Sequence, residues 1–434
     1  MNTRAVQLPV TCSGHFRWVI CSLLFFATTI NYIDRQILSL VKEQLDHDLG
    51  WSASQFGLVN SAFQGAYGAS LLGFGWFIDR YGAKVGYAVS IAVWSLMAMA
   101  HALVGTVSGF MLARIGLGLG EGGNYPAAIK SVTLWFSQRE RALAISIVNS
   151  GANVGALVAP AVVPLIAITL GWRWAFMLAG IAGLGWLFLW LPLFRLPSDS
   201  SHIDAAEADH IRDDDVRAIG TPPIPWRQLL KHRETWSFIV GKFLTDPVWW
   251  FFLIWLPDLF RRVYGMDIRH SWGKLVVIYA VITALSIAGG WLTGYLNKRG
   301  WSVTRARKTG LAIFALCVVP VIAATRADVW TAVALIALAG AGHQAWSANL
   351  YSTVSDMFPE STVASVTGIG SVAGAISGML FPAYCGWMLD RFAAAGDEPG
   401  AYKLLLSVCA FAYVITFVIH HALAPRFEPI LRQR

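Results

Sequence analysis

Gly75-Trp76-Phe77-Ile78-Asp79-Arg80-Tyr81-Gly82-Ala83-Lys84 places Asp79, Arg80 and Lys84 in a short turn between two long apolar stretches. The spacing is Gly-x-x-x-Asp-Arg-x-Gly-x-Lys, which fits a charged turn at the mouth of a helix pair. Outward from it, apolar stretches of about 18 to 25 residues recur along the chain, each long enough to cross a hydrocarbon core as a helix. About twelve are expected. They begin near Arg17, Ser54, Ala83, Ser108, Ala142 and Trp172, then near Trp236, Trp272, Arg307, Val329, Val363 and Tyr402. The 434 residues are 56% hydrophobic and 13% charged, where a soluble domain carries about 25% charged residues. This composition defines an all-α integral membrane protein.

The net charge of +8 would suggest nucleic acid in a soluble protein. Here the basic residues gather in alternate loops: Arg80 and Lys84, then Arg139 and Arg141, then Lys298, Arg299, Arg305, Arg307 and Lys308. The intervening loops offer only Arg173 and Arg326. That bias puts the basic loops and both termini in the cytoplasm of a cell-membrane protein, with lipid rather than nucleic acid as the surroundings. Met1 to His15 lacks a cleavage pattern, so no removable signal peptide is expected. Cys12, Cys21, Cys317, Cys385 and Cys409 lie scattered among apolar residues and read as small core residues.

Hydrophobicity collapses between Arg195 and Arg233, where Asp213-Asp214-Asp215 and Pro222, Pro223 and Pro225 mark a solvated linker rather than a cation site. The expected organisation is a six-helix bundle over 1–195, a cytoplasmic linker over 196–232 and a second six-helix bundle over 233–434. Two similar halves are how transporters built from paired repeats are arranged, with the site near the midplane. No metal-spaced cluster or nucleophile motif is present. Gly116-x-Gly118-x-Gly120 lies inside a helix rather than after a strand, so it is no dinucleotide fingerprint. No cofactor is called for, and an enzyme is not expected. Most of the intrahelical glycines, among them Gly151, Gly155, Gly370, Gly374 and Gly378, read as close-packing positions.

Charges inside the spans locate the chemistry. Asn31-Tyr32-Ile33-Asp34-Arg35 interrupts the first span, and intramembrane charges face a bundle interior or a wet cavity. Asp34 and Arg35 are about 100° apart on a helix, so they address different partners. One suits a proton, the other an anion. The fourth span holds Arg114-Ile115-Gly116-Leu117-Gly118-Leu119-Gly120-Glu121. Arg114 and Glu121 share a face but lie about 10.5 Å apart along the axis, so each is expected to meet the first helix instead.

The loop Gly75–Lys84 resembles the signature loop of the major facilitator superfamily, and Arg-x-x-x-Gly-x-Gly from Arg114 resembles its second signature. Asn149-Ser150-Gly151-Ala152-Asn153-Val154-Gly155, followed by Pro160, is similar to its fifth-helix pattern. The resemblance implies twelve helices in two pseudo-symmetric halves. It also implies a gate in which Asp79, Arg80 and Lys84 make and break contacts across the inner face. The matching loop of the second half has Asn297 in place of the acid.

Tyr-Ile-Asp-Arg in the first helix with Arg and Glu seven apart in the fourth is similar to the anion:cation symporters of that superfamily. By that resemblance the chain moves a small organic anion with protons, as a monomer. Arg35 would hold the substrate carboxylate and Tyr32 and Tyr67 its polar groups. Asp34 and Glu121 would exchange protons, tuned by Arg114. In the second half, resemblance to hexuronate and aldonate carriers nominates Gln344, Trp346, Asn349 and Ser371 for the sugar end, with Trp249 or Trp250 as a stacking wall. Asn149 and Asn153 share a helix face and suit either sugar hydroxyls or helix contacts. His343 suits either a proton relay or a hydrogen-bonded interior position. Ala152 and Ala375, small where aldonate carriers tend to have amides, favour a hexuronate over galactonate or gluconate. An uncoupled facilitator or exchanger fits the same spans. An exporter of cationic drugs fits less well, because Arg35 would repel its cargo.

Overall fold

The computed structural model describes residues 15–199, 203, 207, 210–211, 226–428 and 430. Among them every regular element is helical. α1 (Phe16–Leu40) is followed by the short α2 (Lys42–Leu49) and by α3 (Ala53–Leu103). A capping box starts α3: Ser52 Oγ accepts from the Gln55 amide at 3.2 Å and Gln55 Oε1 accepts from the Ser52 amide at 2.9 Å. α3 is two arms meeting at Gly82, whose φ of 85° is open to glycine and strained for other residues. The charged turn of the quoted stretch therefore folds as expected, between spans two and three.

α4 (Val107–Glu121) and α5 (Asn124–Trp135) form the fourth span, broken at Gly122 and Gly123 immediately after Glu121. The break is a packing matter, since a β-carbon at Gly122 would lie 2.6 Å from the Ser70 side chain. α6 (Gln138–Thr169) and α7 (Trp172–Leu193) complete the first half of the chain. A single turn at Trp226–Leu229 precedes α8 (Arg233–Tyr264), α9 (Ile268–Lys298), α10 (Val303–Val318, continued as a 3-10 helix to Arg326), α11 (Val329–Met357), α12 (Glu360–Ala394) and α13 (Glu398–Leu423). The acidic triplet and most of the expected linker lie outside the described residues.

Eight stretches among the described residues are long and apolar enough to cross a bilayer. The expected twelve is a larger number, and part of the difference has a physical cause. The fourth span is divided into pieces of 15 and 12 residues, and α11 is diluted in its middle by His343, Gln344 and Asn349. Cys21, Cys385 and Cys409 are buried thiols, as expected of core residues.

Helix α1 packs on α6, and α3 on α4 and α7. In the second half α8 packs on α12 and α13, and α11 on α9 and α10, while α3–α12 and α6–α9 contacts join the two sets. Glycines make these approaches possible. A β-carbon at Gly118, Gly151 or Gly155 would lie 2.5 Å from the carbonyl oxygen of Phe63, Phe25 or Thr29 respectively. On α12, Gly370, Gly374 and Gly378 face Phe238, Asp246 and Trp250 of α8, two rows of four-residue spacing laid side by side.

The end of the bundle opposite Gly82 is tied shut by charge. Asp258 of α8 lies 3.1 Å from Lys42, 2.7 Å from Arg261 and 2.8 Å from Arg262, and accepts from the Tyr402 hydroxyl at 2.6 Å. Arg261 also reaches Asp46 at 2.5 Å, and Asp390 of α12 accepts the amides of Ala53 and Ser54 at 2.9 and 2.8 Å. These contacts join α2 and the start of α3 to α8, α12 and α13.

Candidate functional site

A cavity of about 710 Å³ lies between α3, α8 and α12, walled in part by Tyr67, Lys242, Asp246, Trp250, Tyr351 and Ser371. Its position follows from the helix register. The residues of α8 that repeat every four positions, Lys242, Asp246 and Trp250, present one face to it.

Behind the Tyr67 and Trp250 rings sits a buried cation. Arg35 Nε lies 2.6 Å from Glu121 Oε2, with the two side chains 6% and 0% exposed. The guanidinium carbon is 4.5 Å from the ring centre of Tyr67, 5.0 Å from Tyr32, and 5.6 Å from both Phe63 and Trp250. Arg114 reaches the backbone carbonyl of Arg35 at 3.4 Å. The expectation that Arg114 and Glu121 each meet the first helix rather than each other is what the structure shows. Asp34, on the neighbouring face of α1, is fully buried, and neither of its oxygens has a hydrogen-bond partner. Its field partners are Glu121, Arg114 and Arg35. Two acids and two cations thus share one dry layer, close to neutral in sum.

Several residues chosen from sequence sit elsewhere. Trp249 stacks on His343 with ring centres 5.5 Å apart, away from the cavity lining, and its neighbour Trp250 forms the wall instead. Trp346 is buried in the second-half core edge-on to Tyr413. Asn349 is occupied structurally: its amide donates to the Ala345 carbonyl at 2.8 Å and its oxygen accepts from Arg307 at 3.3 Å. Gln344 is half-buried and outside the lining. Asn149 is exposed beside the Tyr125 hydroxyl at the cavity edge, and Asn153 is half-buried on the same helix. His343 is a hydrogen-bonded interior residue, its Nδ1 2.5 Å from the Tyr413 hydroxyl. Ser371 does line the cavity.

At the Gly82 end, Asp79 pairs with Lys130 of α5 at 2.9 Å. Arg80 is exposed, and the Lys84 carbonyl accepts from the Trp190 indole at 3.1 Å. Sequence reasoning missed Lys130 and, within the cavity, Lys242 and Asp246, which are 2.7 Å apart. A signal existed for the latter pair: a lysine and an aspartate four apart inside an apolar span.

A bundle of apolar helices around a mainly apolar cavity that carries a few charged and polar side chains, with buried charges beside it and a charged closure at one end, defines a membrane transporter rather than an enzyme. Residues 24–382 match the Major Facilitator Superfamily, and the chain belongs to that family. The hexuronate transporter of Escherichia coli (strain K12) is 26% identical over 381 residues, 86% of this chain and 88% of that one. A probable galactarate/D-glucarate transporter of the same strain is 29% identical, covering 91% of this chain and 94% of its own. A probable sulfoacetate transporter of Cupriavidus necator is 30% identical, covering 86% of each. The crystal structure of a bacterial homolog to the human lysosomal transporter Spinster, inward-facing and occupied, superposes with a TM-score of 0.78 at 19% identity. That match covers 94% of this chain and 97% of the other, and bears on the fold alone.

Proposed function

We propose that the protein imports a sugar acid together with protons by alternating access. The sequence puts hexuronates first and aldonates such as galactonate second. The curated relatives, named for hexuronate and galactarate/D-glucarate, support a sugar acid. The observation that carries the reading is the buried Arg35–Glu121 pair beside the cavity. A substrate carboxylate entering past Tyr67 competes with Glu121 for Arg35. Glu121, losing its cation in a dry site, takes a proton. Asp34 is the second proton site, and Arg114 steadies both acids by its field. With a proton on Glu121 and the substrate carboxylate on Arg35, the loaded site is as close to neutral as the empty one and either can close. Substrate without the proton would leave an uncompensated buried carboxylate, which is too costly.

In this reading the Gly82 end is cytoplasmic, with both termini, and the Asp258 closure faces outward in a single-chain carrier of the cell membrane. The halves 1–195 and 233–434 rock about the cavity, with Asp79, Arg80 and Lys84 at the inner gate. Uptake of labelled galacturonate, glucuronate and galactonate into proteoliposomes, with and without an imposed pH gradient, tests the proposal. Accumulation that follows the gradient supports it, while equilibration unaffected by the gradient identifies an uncoupled facilitator.

A further inference from the structure

The Arg35–Glu121 pair sits behind the Tyr67 and Trp250 rings, and the cavity wall itself carries a second ion pair with no assigned task. Lys242 Nζ lies 2.7 Å from Asp246 Oδ2 and 4.7 Å from the ring centre of Tyr351, and all three residues line the cavity. The lysine side chain is 7% exposed. Room for the pair is built into α12, because a β-carbon at Gly374 would collide with the Asp246 carboxylate and lie 3.5 Å from Lys242 Cε.

Both members belong to α8, four residues apart, and their link to another helix is the contact of Lys242 with Tyr351 of α11. The Asp258 cluster, by contrast, joins α2, α8 and α13. Burying two charges is unfavourable unless their contacts repay it, and one contact with an aromatic side chain is a small return for it. An ammonium has three donors, of which Asp246 takes one and Tyr351 a second, and the third is available to a ligand.

Resting on the reading of the cavity as a sugar-acid site, the geometry points to Lys242 as a second anion-binding cation, so that the substrate carries an acidic group at both ends. Arg35 lies against Trp250, and the backbone of Lys242 is two helical turns from that of Trp250 along the same face of α8, a rise of roughly 12 Å. A six-carbon chain spans roughly 6 to 7 Å between its end carbons, and charge-assisted contacts of about 2.8 Å at each end bring the reach to that distance. A hexuronate fills only one of the two cationic positions. A six-carbon dicarboxylate fills both, which moves that class ahead of the hexuronates.

The test uses the purified full-length protein in proteoliposomes, with labelled galacturonate and unlabelled galacturonate, glucarate and galactarate as competitors. Glucarate or galactarate should compete at about a tenth of the concentration at which galacturonate does, as one added charge-assisted contact provides. In Lys242→Gln/Asp246→Asn, which leaves no orphaned charge, the preference for dicarboxylate over monocarboxylate should fall about tenfold. Lys242→Arg should retain it. Equal competition by both classes in the wild type, or an unchanged preference in the double variant, overturns the inference and leaves the sugar-acid reading standing. Uptake of neither class overturns both.

Discussion

Glu121→Gln isolates the coupling step. Arg35 and Glu121 are in contact at 2.6 Å with almost no solvent, and charge centres about 4 Å apart attract by about 4 kcal/mol at an effective dielectric of 20. Substrate binding redirects that attraction from Glu121 to the substrate carboxylate. Glutamine keeps an oxygen that accepts the Arg35 hydrogen bond but can neither release nor take a proton, so it stands for the protonated acid. The variant should fold, bind substrate and exchange internal for external substrate. It should not accumulate. For a carrier moving one proton with its substrate, each unit of pH gradient is worth 1.36 kcal/mol, about tenfold accumulation, and the variant should stay near a ratio of about one. The assay compares gradient-driven uptake with counterflow in the same vesicles. Accumulation by the variant that still tracks the pH gradient would refute the reasoning, because the coupling proton would then travel elsewhere.

Arg35→Gln should raise the KM for a sugar acid by roughly ten- to a hundredfold, the loss of one charge-assisted contact, measured by initial-rate uptake. Gly118→Ala pushes a β-carbon against the Phe63 carbonyl at 2.5 Å and should destabilise the protein by about 1 to 3 kcal/mol, read from thermal unfolding in detergent. Asp258→Asn leaves Lys42, Arg261 and Arg262 around an uncharged group and should weaken the closed end by about 3 to 5 kcal/mol, seen as longer spin-label distances between α2 and the α8–α9 turn. Burial opposes the charge of Glu140, but hydrogen bonds from Arg17 and His210 outweigh it and hold its carboxyl below the usual range. An acid held low in the folded state stabilises it above the unfolded value, about 4.3, and that contribution is lost as pH falls through the folded value. A quarter of its side chain is exposed, which keeps the effect below about 1 kcal/mol. Glu140→Gln should flatten the acid limb of a melting curve below about pH 4.

What the sequence made legible was local. The glycine at position 82 and the seven-residue spacing of Arg114 and Glu121 each depend on one helix and fold as those short rules require, whereas apolar length found the helices but expected twelve spans where eight stretches of the described residues qualify. The meeting of α1 with α4 followed because Asp34 and Arg35 put countercharges inside the first span. The second-half choices rested on motif resemblance, which left Trp249 and Trp250 as alternatives: they differ by about 100° on the helix, which turns one to His343 and the other to the cavity. The Asp258 closure was out of reach of such rules, since Asp46 and Arg261 are 215 residues apart in the chain. Lys242 and Asp246 went unread as a pair although their spacing is that of a helical ion pair.

Asp390 ends this structure's longest helix in an unusual manner: the first amides of α3 are received by a carboxylate borrowed from α12. When that end opens, Ala53 and Ser54 must hand their N–H groups to water. Deuterium uptake at those two amides therefore clocks the opening directly, without a label, and should slow whenever the carrier is held with this end sealed.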